Sequence, residues 1–184
     1  MKWDGYKIRE QFGVHFITFA TVQWVDVFSR PCYTDIFLDS LRFCAREKGL
    51  RMHAWCLMSN HVHFIVSAEH GNLSDILRDL KKFTAVMILR KIAANPAESR
   101  KEWMLPIFRQ AGEQCSKNEV FQFWQHDNHP EHIFSKPFLA SKIRYIHQNP
   151  VKSQYVSRAE DYLLSSARDY EGMKGLLELE ILDW

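Results

Sequence analysis

Residues 50–68, LRMHAWCLMSNHVHFIVSA, form the stretch that decides how this chain folds. Two strands are predicted here, at residues 50–58 and 61–68. Only Ser59-Asn60 lies between them, and so short a connection predicts a tight hairpin. The other elements are assigned outward from this hairpin.

Hydrophobic periodicity and turn residues assign the rest of the chain. The predicted elements are a strand at residues 13–22, a helix at 33–48 that stops before Gly49, a helix at 73–94, a long connection at about 95–119, a strand at 120–125, a helix at about 137–149 and a C-terminal helical tail at about 159–184. Strand, helix, strand, strand, helix, strand is the split βαβ order. It predicts an α+β, ferredoxin-like antiparallel sheet with helices on one face and the other face open for a site. One domain, residues 1–184, is expected.

Composition narrows the class of protein. The chain has 184 residues, of which 46% are hydrophobic and 25% charged, as in an ordinary folded domain. It contains no apolar run of bilayer length and no opening signal peptide, so a cytoplasmic protein without membrane contact is expected. Its four cysteines form no C-x-x-C pair, which argues against a disulfide framework or a cysteine-rich zinc site. The net charge of +2 does not decide whether nucleic acid is a partner.

Two histidines of the second hairpin strand are candidate metal ligands. Side chains alternate between the faces of a strand, so His61 and His63 point one way while Val62 and Phe64 point to the core. Two adjacent imidazoles are able to bind one divalent ion. The same short pattern is also typical of two surface histidines.

The helix at residues 137–149 carries a second group of candidates. Tyr145 and Asn149 are one turn apart and share a helix face with Lys142. A tyrosine there is a candidate nucleophile, and an asparagine is a candidate oxygen ligand. An amphipathic helix with a half-buried tyrosine and a terminal asparagine before Pro150 explains the pattern equally well.

Three segments resemble one protein family in the order that the family has them. Residues 58–64, MSNHVHF, resemble the NHVH form of the HUH motif, in which a hydrophobic residue separates two histidines. Residues 145–152, YIHQNPVK, resemble the YIHxNPV block of the single-tyrosine HUH transposases, or IS200-like transposases. Residues 161–170, DYLLSSARDY, resemble the Y-x-x-SSA tail of their REP-associated tyrosine transposase branch.

The resemblance implies a role for each matching residue. His61 and His63 would bind a divalent metal, Mg²⁺ or Mn²⁺, and Asn149 would complete the site. Tyr145 would form a covalent phosphotyrosine at a DNA 5′ end. The implied protein is a transposase that nicks and joins single-stranded DNA or DNA hairpins at element ends or REP-like repeats. A homodimer is compatible with it, and the sequence leaves open whether Tyr145 serves its own subunit or a partner.

The chemistry requires a group that favours the tyrosine's phenolate. A phenol keeps its proton at neutral pH, since its reference pKa is about 10. Lys142, on the face that Tyr145 occupies, is a candidate to favour the phenolate. Two alternatives stay open: a DNA or RNA hairpin-binding protein without turnover, and a metal-dependent phosphodiesterase that uses water.

Other basic and histidine residues are weaker candidates. The proposed DNA contacts beyond Lys142 are Arg78, Lys81, Lys82 and His129. A solvated helix face explains the first three equally well. His126, His129 and His132 also suggest a zinc site, which Pro130 and the lack of an accompanying cysteine argue against.

Overall fold

A computed structural model describes residues 8–115, 120–126 and 129–182 of the chain. Its strands are β1 (His15–Ala20), β2 (Leu50–Leu57), β3 (His61–Ala68) and β4 (Glu131–His132). Its α-helices are α1 (Pro31–Lys48), α2 (Leu73–Ala94), α3 (Lys101–Glu113), α4 (Lys136–Lys152) and α5 (Ala167–Tyr170). Short 3-10 turns lie at Val22–Trp24, Val27–Ser29 and Ala159–Asp161.

The four strands form one sheet in the order β2-β3-β1-β4. Each neighbouring pair is antiparallel. The helix α1 carries the chain from β1 to β2 on the far side of β3, which is the split βαβ connection. The predicted α+β, ferredoxin-like fold is confirmed, and the predicted hairpin joins β2 to β3.

Helices cover both faces of the sheet. Val62 and Phe64 of β3 lie in the larger core with the buried residues of α1 and α2. On the other face, Ile65 of β3 packs with Leu139 and Ile146 of α4 in a smaller core. The expectation of helices on one face therefore describes α1, α2 and α3 but not α4. The helix α4 lies on the site-bearing face because its apolar side chains have this second core to pack into.

The helices α1 and α2 have ends close to those expected. The prediction for α2 matches Leu73–Ala94. The helix α1 starts two residues early, at Pro31, a residue that suits the first helical turn. It ends at Lys48, and the next residue, Gly49, has a φ of 73°, the left-handed conformation that glycine adopts at helix ends.

Two predictions between α2 and α4 were wrong. The expected long connection contains the helix α3, which buries Met104 and Phe108 one turn apart. Pro106, which lies inside this helix, obscured the period because a proline is unusual there. The expected strand at residues 120–125 makes only an isolated bridge, Thr21 to Trp124, because its aromatic side chains enter the larger core. The fourth strand is instead Glu131–His132, within the expected loop.

The C-terminal segment is mostly turns and irregular backbone, so the predicted helical tail at residues 159–184 is limited to the short helices Ala159–Asp161 and Ala167–Tyr170. Its only α-helix within residues 159–182 is the four-residue α5, and residues 183–184 lie outside the described part. The backbone follows the edge of β2, where Leu57 N donates to Leu164 O and Ser166 N donates to Trp55 O, at 2.8 and 2.9 Å. An edge strand has unpaired backbone groups, and this pairing satisfies some of them.

A buried carboxylate anchors the loop between β1 and α1. Glu98 has a fully buried side chain and accepts a hydrogen bond from the Tyr33 hydroxyl at 2.9 Å. It also pairs with Arg30 and Arg100, at 2.8 and 2.9 Å. Arg100 in turn donates to the Asp26 carbonyl in the loop, at 3.1 Å. The loop is therefore tied to the segment that joins α2 to α3.

No helix among the residues that the structure describes is both long and apolar enough to span a bilayer.

Candidate active site

Strand β3 brings His61 and His63 together on the face that α4 covers. Their ring centroids lie 4.7 Å apart, with the ring planes inclined by 70°. In the strand register His63 stands opposite Thr18 of β1 and Cys56 of β2. His63 is buried and His61 is half-buried. The alternation expected from the sequence thus results in a pair of imidazoles largely shielded from water.

One nitrogen of each imidazole forms a hydrogen bond with a neighbouring oxygen atom. The Thr18 hydroxyl lies 2.7 Å from His63 Nδ1, and the amide oxygen of Asn60 lies 2.6 Å from His61 Nδ1. Hydrogen bonds of this kind orient a metal-binding histidine and leave its other nitrogen available. The arrangement therefore leaves the two Nε2 atoms as the candidate ligands.

Burial keeps both imidazoles neutral at pH 7. It lowers the pKa of His61 to about 4, opposed by a side-chain hydrogen bond with Asn149. Burial lowers the pKa of His63 to about 3, and the nearby charges of His61 and Lys142 act in the same direction. Only the neutral form of histidine binds a metal. The pair is therefore in its ligand form throughout the physiological range of pH.

The helix α4 presents Tyr145 to the histidine pair. The helix starts after Ser135, whose hydroxyl accepts from Phe138 N at 3.4 Å. The Tyr145 ring lies 5.1 Å from the His63 ring and is 43% exposed. Its hydroxyl is thus on a side chain that solvent and a substrate are able to reach.

Asn149 lies one turn further along α4, and its side chain acts to raise the pKa of His61. The helix continues through Pro150 as far as Lys152. Asn149 is therefore helical and shares a face with Tyr145, as expected.

The residues present fit a divalent cation. Two neutral imidazoles and the Asn149 amide oxygen form a mixed nitrogen and oxygen donor set, which suits Mn²⁺ and is acceptable to Mg²⁺. Among the described residues, no group of three or more histidine, cysteine, aspartate or glutamate side chains is placed to hold a metal. A cation here would consequently depend on Asn149, water and substrate oxygen for its remaining ligands.

Two lysines lie near the tyrosine in different settings. Lys142 Nζ pairs with Glu131 Oε1 at 2.5 Å and lies 4.3 Å from the Phe16 ring centroid. Lys152 Nζ, which the sequence analysis did not single out, lies 5.9 Å from the Tyr145 ring centroid. Glu131 partly neutralises Lys142, whereas Lys152 lies over the Tyr145 ring.

The other predicted DNA contacts are not near this site. Arg78, Lys81 and Lys82 are on α2, on the opposite face of the sheet. Arg78 pairs with Asp75 and Asp79, at 2.5 and 3.1 Å, which offsets its charge. Lys81 Nζ donates to the Gln125 carbonyl at 2.6 Å.

The three loop histidines do not share a site. His126 Nε2 lies 3.3 Å from Cys115 Sγ, whereas the His132 ring is 5.1 Å from that of His15. His129 has a left-handed φ of 41° just before β4. The zinc interpretation has no support among the described residues.

Three residues around the histidine pair were missed by sequence reasoning. Thr18 was detectable in principle, because the alternation of β1 places it on the face of His63 once the strands are paired. Asn60 is part of the NHVH block and of the predicted turn, but neither pattern gave its side chain a role. Trp24, whose ring centroid lies 5.6 Å from that of His61, follows β1 in a turn that no pattern indicated.

One family model matches this chain. Residues 10–105 match the family model described as "Transposase IS200 like", a span of just over half of the chain. The span includes the histidine pair and ends before α4. Among curated proteins no match was found.

Two solved structures are similar to this chain. One is a REP-associated tyrosine transposase bound to a REP hairpin, with a TM-score of 0.66 and 15% identity, over 99% of this chain and 95% of the other. This likeness supports the fold. The second is a putative transposase from Deinococcus radiodurans R1, with a TM-score of 0.45 and 18% identity, over 79% of this chain and 95% of the other.

Proposed function

The chain belongs to the IS200-like transposase family, and from that membership we propose that it cuts and rejoins single-stranded or hairpin DNA with Tyr145 as its nucleophile. One observation carries the proposal: the Tyr145 ring lies 5.1 Å from His63, which lies 4.7 Å from His61. An exposed tyrosine beside two imidazoles that are able to bind a metal supports attack of its hydroxyl on a phosphate.

The reaction exchanges one phosphate ester for another. The Tyr145 hydroxyl loses its proton to water, and its oxygen attacks the scissile phosphorus. The bond from phosphorus to the 3′-oxygen breaks, and that oxygen takes a proton from water. The products are a 5′-phosphotyrosine and a free 3′-hydroxyl. Attack by a second 3′-hydroxyl reverses these steps and rejoins DNA without ATP.

The residues around the phosphate would have different roles in the reaction. Mg²⁺ or Mn²⁺, held by His61, His63 and Asn149, would neutralise charge on a non-bridging phosphate oxygen. The Lys152 ammonium, near the Tyr145 ring, would favour the phenolate. Thr18 and Asn60 would keep the two imidazoles in their ligand orientation.

The substrate proposed is DNA with a hairpin at an element end or a REP-like repeat. The structurally similar tyrosine transposase is bound to a REP hairpin, which supports a hairpin as the first substrate to try. The sequence resemblance to the REP-associated branch supports the same choice. DNA contacts by Lys142, Arg78, Lys81, Lys82 and His129 are also proposed, but the choice of a hairpin substrate does not depend on them.

The test is formation of a covalent adduct. Labelled hairpin oligonucleotides from the repeats flanking the gene are incubated with the protein and Mn²⁺, then separated on a denaturing gel. We expect a labelled band at protein mass for the wild type and none for Tyr145→Phe or with EDTA, because both the hydroxyl and the metal are needed. The variant should still retard the oligonucleotide on a native gel.

Tyr155→Phe is the matched control. Tyr155 is 52% exposed and its hydroxyl lies 3.1 Å from that of Ser59, outside the histidine pair. This variant should form the adduct as the wild type does. Loss of the adduct in Tyr155→Phe but not in Tyr145→Phe would identify Tyr155, and not Tyr145, as the nucleophile.

Two other outcomes point to the alternative functions. Metal-dependent cleavage with no adduct would indicate a phosphodiesterase that uses water. Retardation with no cleavage under Mg²⁺ or Mn²⁺ would indicate a hairpin-binding protein.

We propose that Tyr145 acts on the metal site of its own chain, since its contact with His63 is made within one chain. If α4 instead served the metal site of a partner subunit, mixing the Tyr145→Phe and His63→Ala variants would restore the adduct. In such a mixed dimer, Tyr145 of the second variant would act at the intact histidine pair of the first. We expect the mixture to stay inactive.

A further inference from the structure

Trp24 is an exposed indole at the edge of the candidate active site. It is 54% exposed, whereas Trp55 and Trp124 are buried in the core. Its ring meets the His61 ring edge-on, with 5.6 Å between centroids and 79° between planes. Core packing, the usual reason for a tryptophan, does not account for this one.

The backbone that carries Trp24 is strained. Gln23 and Trp24 have φ values of 49° and 56°, so two consecutive non-glycine residues are left-handed. Such conformations are unfavourable for residues with a Cβ atom and cluster at functional sites, where the surroundings hold them. The strain here turns a large aromatic side chain outward beside the histidine pair.

Hydrogen bonds hold this conformation and link it to His61. Trp24 N donates to the Thr21 carbonyl, and Asn60 Nδ2 donates to the Trp24 carbonyl, both at 3.1 Å. The other amide atom of Asn60, its oxygen, lies 2.6 Å from His61 Nδ1. One asparagine side chain therefore sets the positions of the indole and of the imidazole relative to each other.

Trp24 and Tyr145 lie at opposite ends of the histidine pair. Tyr145 contacts the His63 ring, and Trp24 contacts the His61 ring. In an in-line displacement the leaving oxygen lies opposite the nucleophile. The nucleotide that carries the leaving 3′-oxygen is then on the Trp24 side of the scissile phosphate.

We infer that Trp24 stacks on the base immediately 5′ of the scissile phosphate, an assignment that rests on the proposed function. Stacking on an aromatic side chain accepts any base, because every base has a π-face. The same contact holds the cleaved strand, with its free 3′-hydroxyl, next to the phosphotyrosine. Trp24 is thus a substrate-binding residue that favours rejoining over release.

The test combines a change in the protein with a change in the DNA. Wild-type cleavage products first map the nick in the hairpin oligonucleotide. Binding is then measured by fluorescence anisotropy with Mn²⁺ in the Tyr145→Phe background, which keeps the DNA intact. The oligonucleotide carries either the normal base or an abasic site at each position near the nick.

We expect Trp24→Ala to weaken binding of the normal oligonucleotide roughly tenfold, the scale of one lost stacking contact. In the protein that retains Trp24, an abasic site just 5′ of the nick should weaken binding to the same degree. The two changes together should cost no more than either alone, and Trp24→Phe should retain most of the affinity. An abasic site at other positions should leave the effect of Trp24→Ala intact.

Phe83→Ala is the matched control, since Phe83 is 57% exposed on α2, on the opposite face of the sheet. It should not alter binding. An equal effect of Trp24→Ala on normal and abasic DNA, or no effect, would overturn the assignment while leaving cleavage by Tyr145 standing. Absence of cleavage by the wild type would instead overturn the proposed function and the assignment with it.

Discussion

The hydroxyl of Thr18 controls which way the imidazole of His63 turns. The two are cross-strand partners, with 2.7 Å between Thr18 Oγ1 and His63 Nδ1. A histidine whose second nitrogen has no partner is free to rotate, and a metal site then loses part of its preorganisation.

We therefore expect Thr18→Val to weaken Mn²⁺ binding by about 10- to 100-fold, the usual effect of removing such a partner. Valine keeps the branched shape, so the fold should be retained. Isothermal titration calorimetry measures the affinity, and Thr18→Ser, which keeps the hydroxyl, should bind as the wild type does. Equal affinity in Thr18→Val would mean that this hydrogen bond does not orient the ligand.

Individual side chains were predictable where a backbone period determines their direction. Alternation along one strand was enough to pair His61 with His63, and helical spacing was enough to pair Tyr145 with Asn149. Thr18, Asn60 and Trp24 depend on how separate segments meet. Their roles became visible only once β1 was paired with β3 and the following turn was placed.

The position of Tyr145 depends on the helix α4 as a whole. Ser135 caps its first turn through a hydrogen bond from Phe138 N, and the smaller core holds Leu139 and Ile146. A helix start without such a cap leaves backbone donors unsatisfied.

Ser135→Ala should lower the free energy of unfolding by about 0.5–1 kcal/mol, since 3.4 Å is long for a capping bond. Urea denaturation followed by circular dichroism measures the change. Ser141→Ala, at an exposed position within α4, is the control and should have little effect. An unchanged midpoint for Ser135→Ala would show that the cap contributes nothing.

Helices and strands whose hydrophobic pattern is uninterrupted were predicted well. Elements whose pattern is interrupted or very short were not. The hairpin and α2 follow their periods from end to end. Pro106 interrupts the period of α3, and the aromatic residues near 120–125 serve the core instead of a strand ladder. The two-residue β4 is too short to have a pattern of its own.

At the scale of the whole molecule, buried histidines make stability depend on pH. Burial lowers the pKa of five of them, His15, His53, His61, His63 and His147. His53 lies away from the site, with its ring nitrogens 2.7 Å from the Glu180 carbonyl and 2.8 Å from the Ser67 hydroxyl. Below pH 6.5 the unfolded chain binds protons that the folded chain does not, so acid favours unfolding.

We expect the urea midpoint to fall as the pH is lowered from 7 to 5. The folded pKa of His53 lies below its ordinary value, so its contribution is present above pH 6.5 and is lost as the pH falls. In His53→Gln, which has no titrating group there, the fall should be smaller. The same fall in both proteins would exclude His53 as a contributor.

The register between β1 and β3 has a consequence for how this protein tolerates insertions and deletions. Thr18 faces His63 and Ala20 faces His61 because the two strands pair residue for residue. Losing one residue within β1 would turn every later side chain of that strand to the opposite face. Length changes within this strand should therefore be eliminated during evolution even where each single substitution is tolerated.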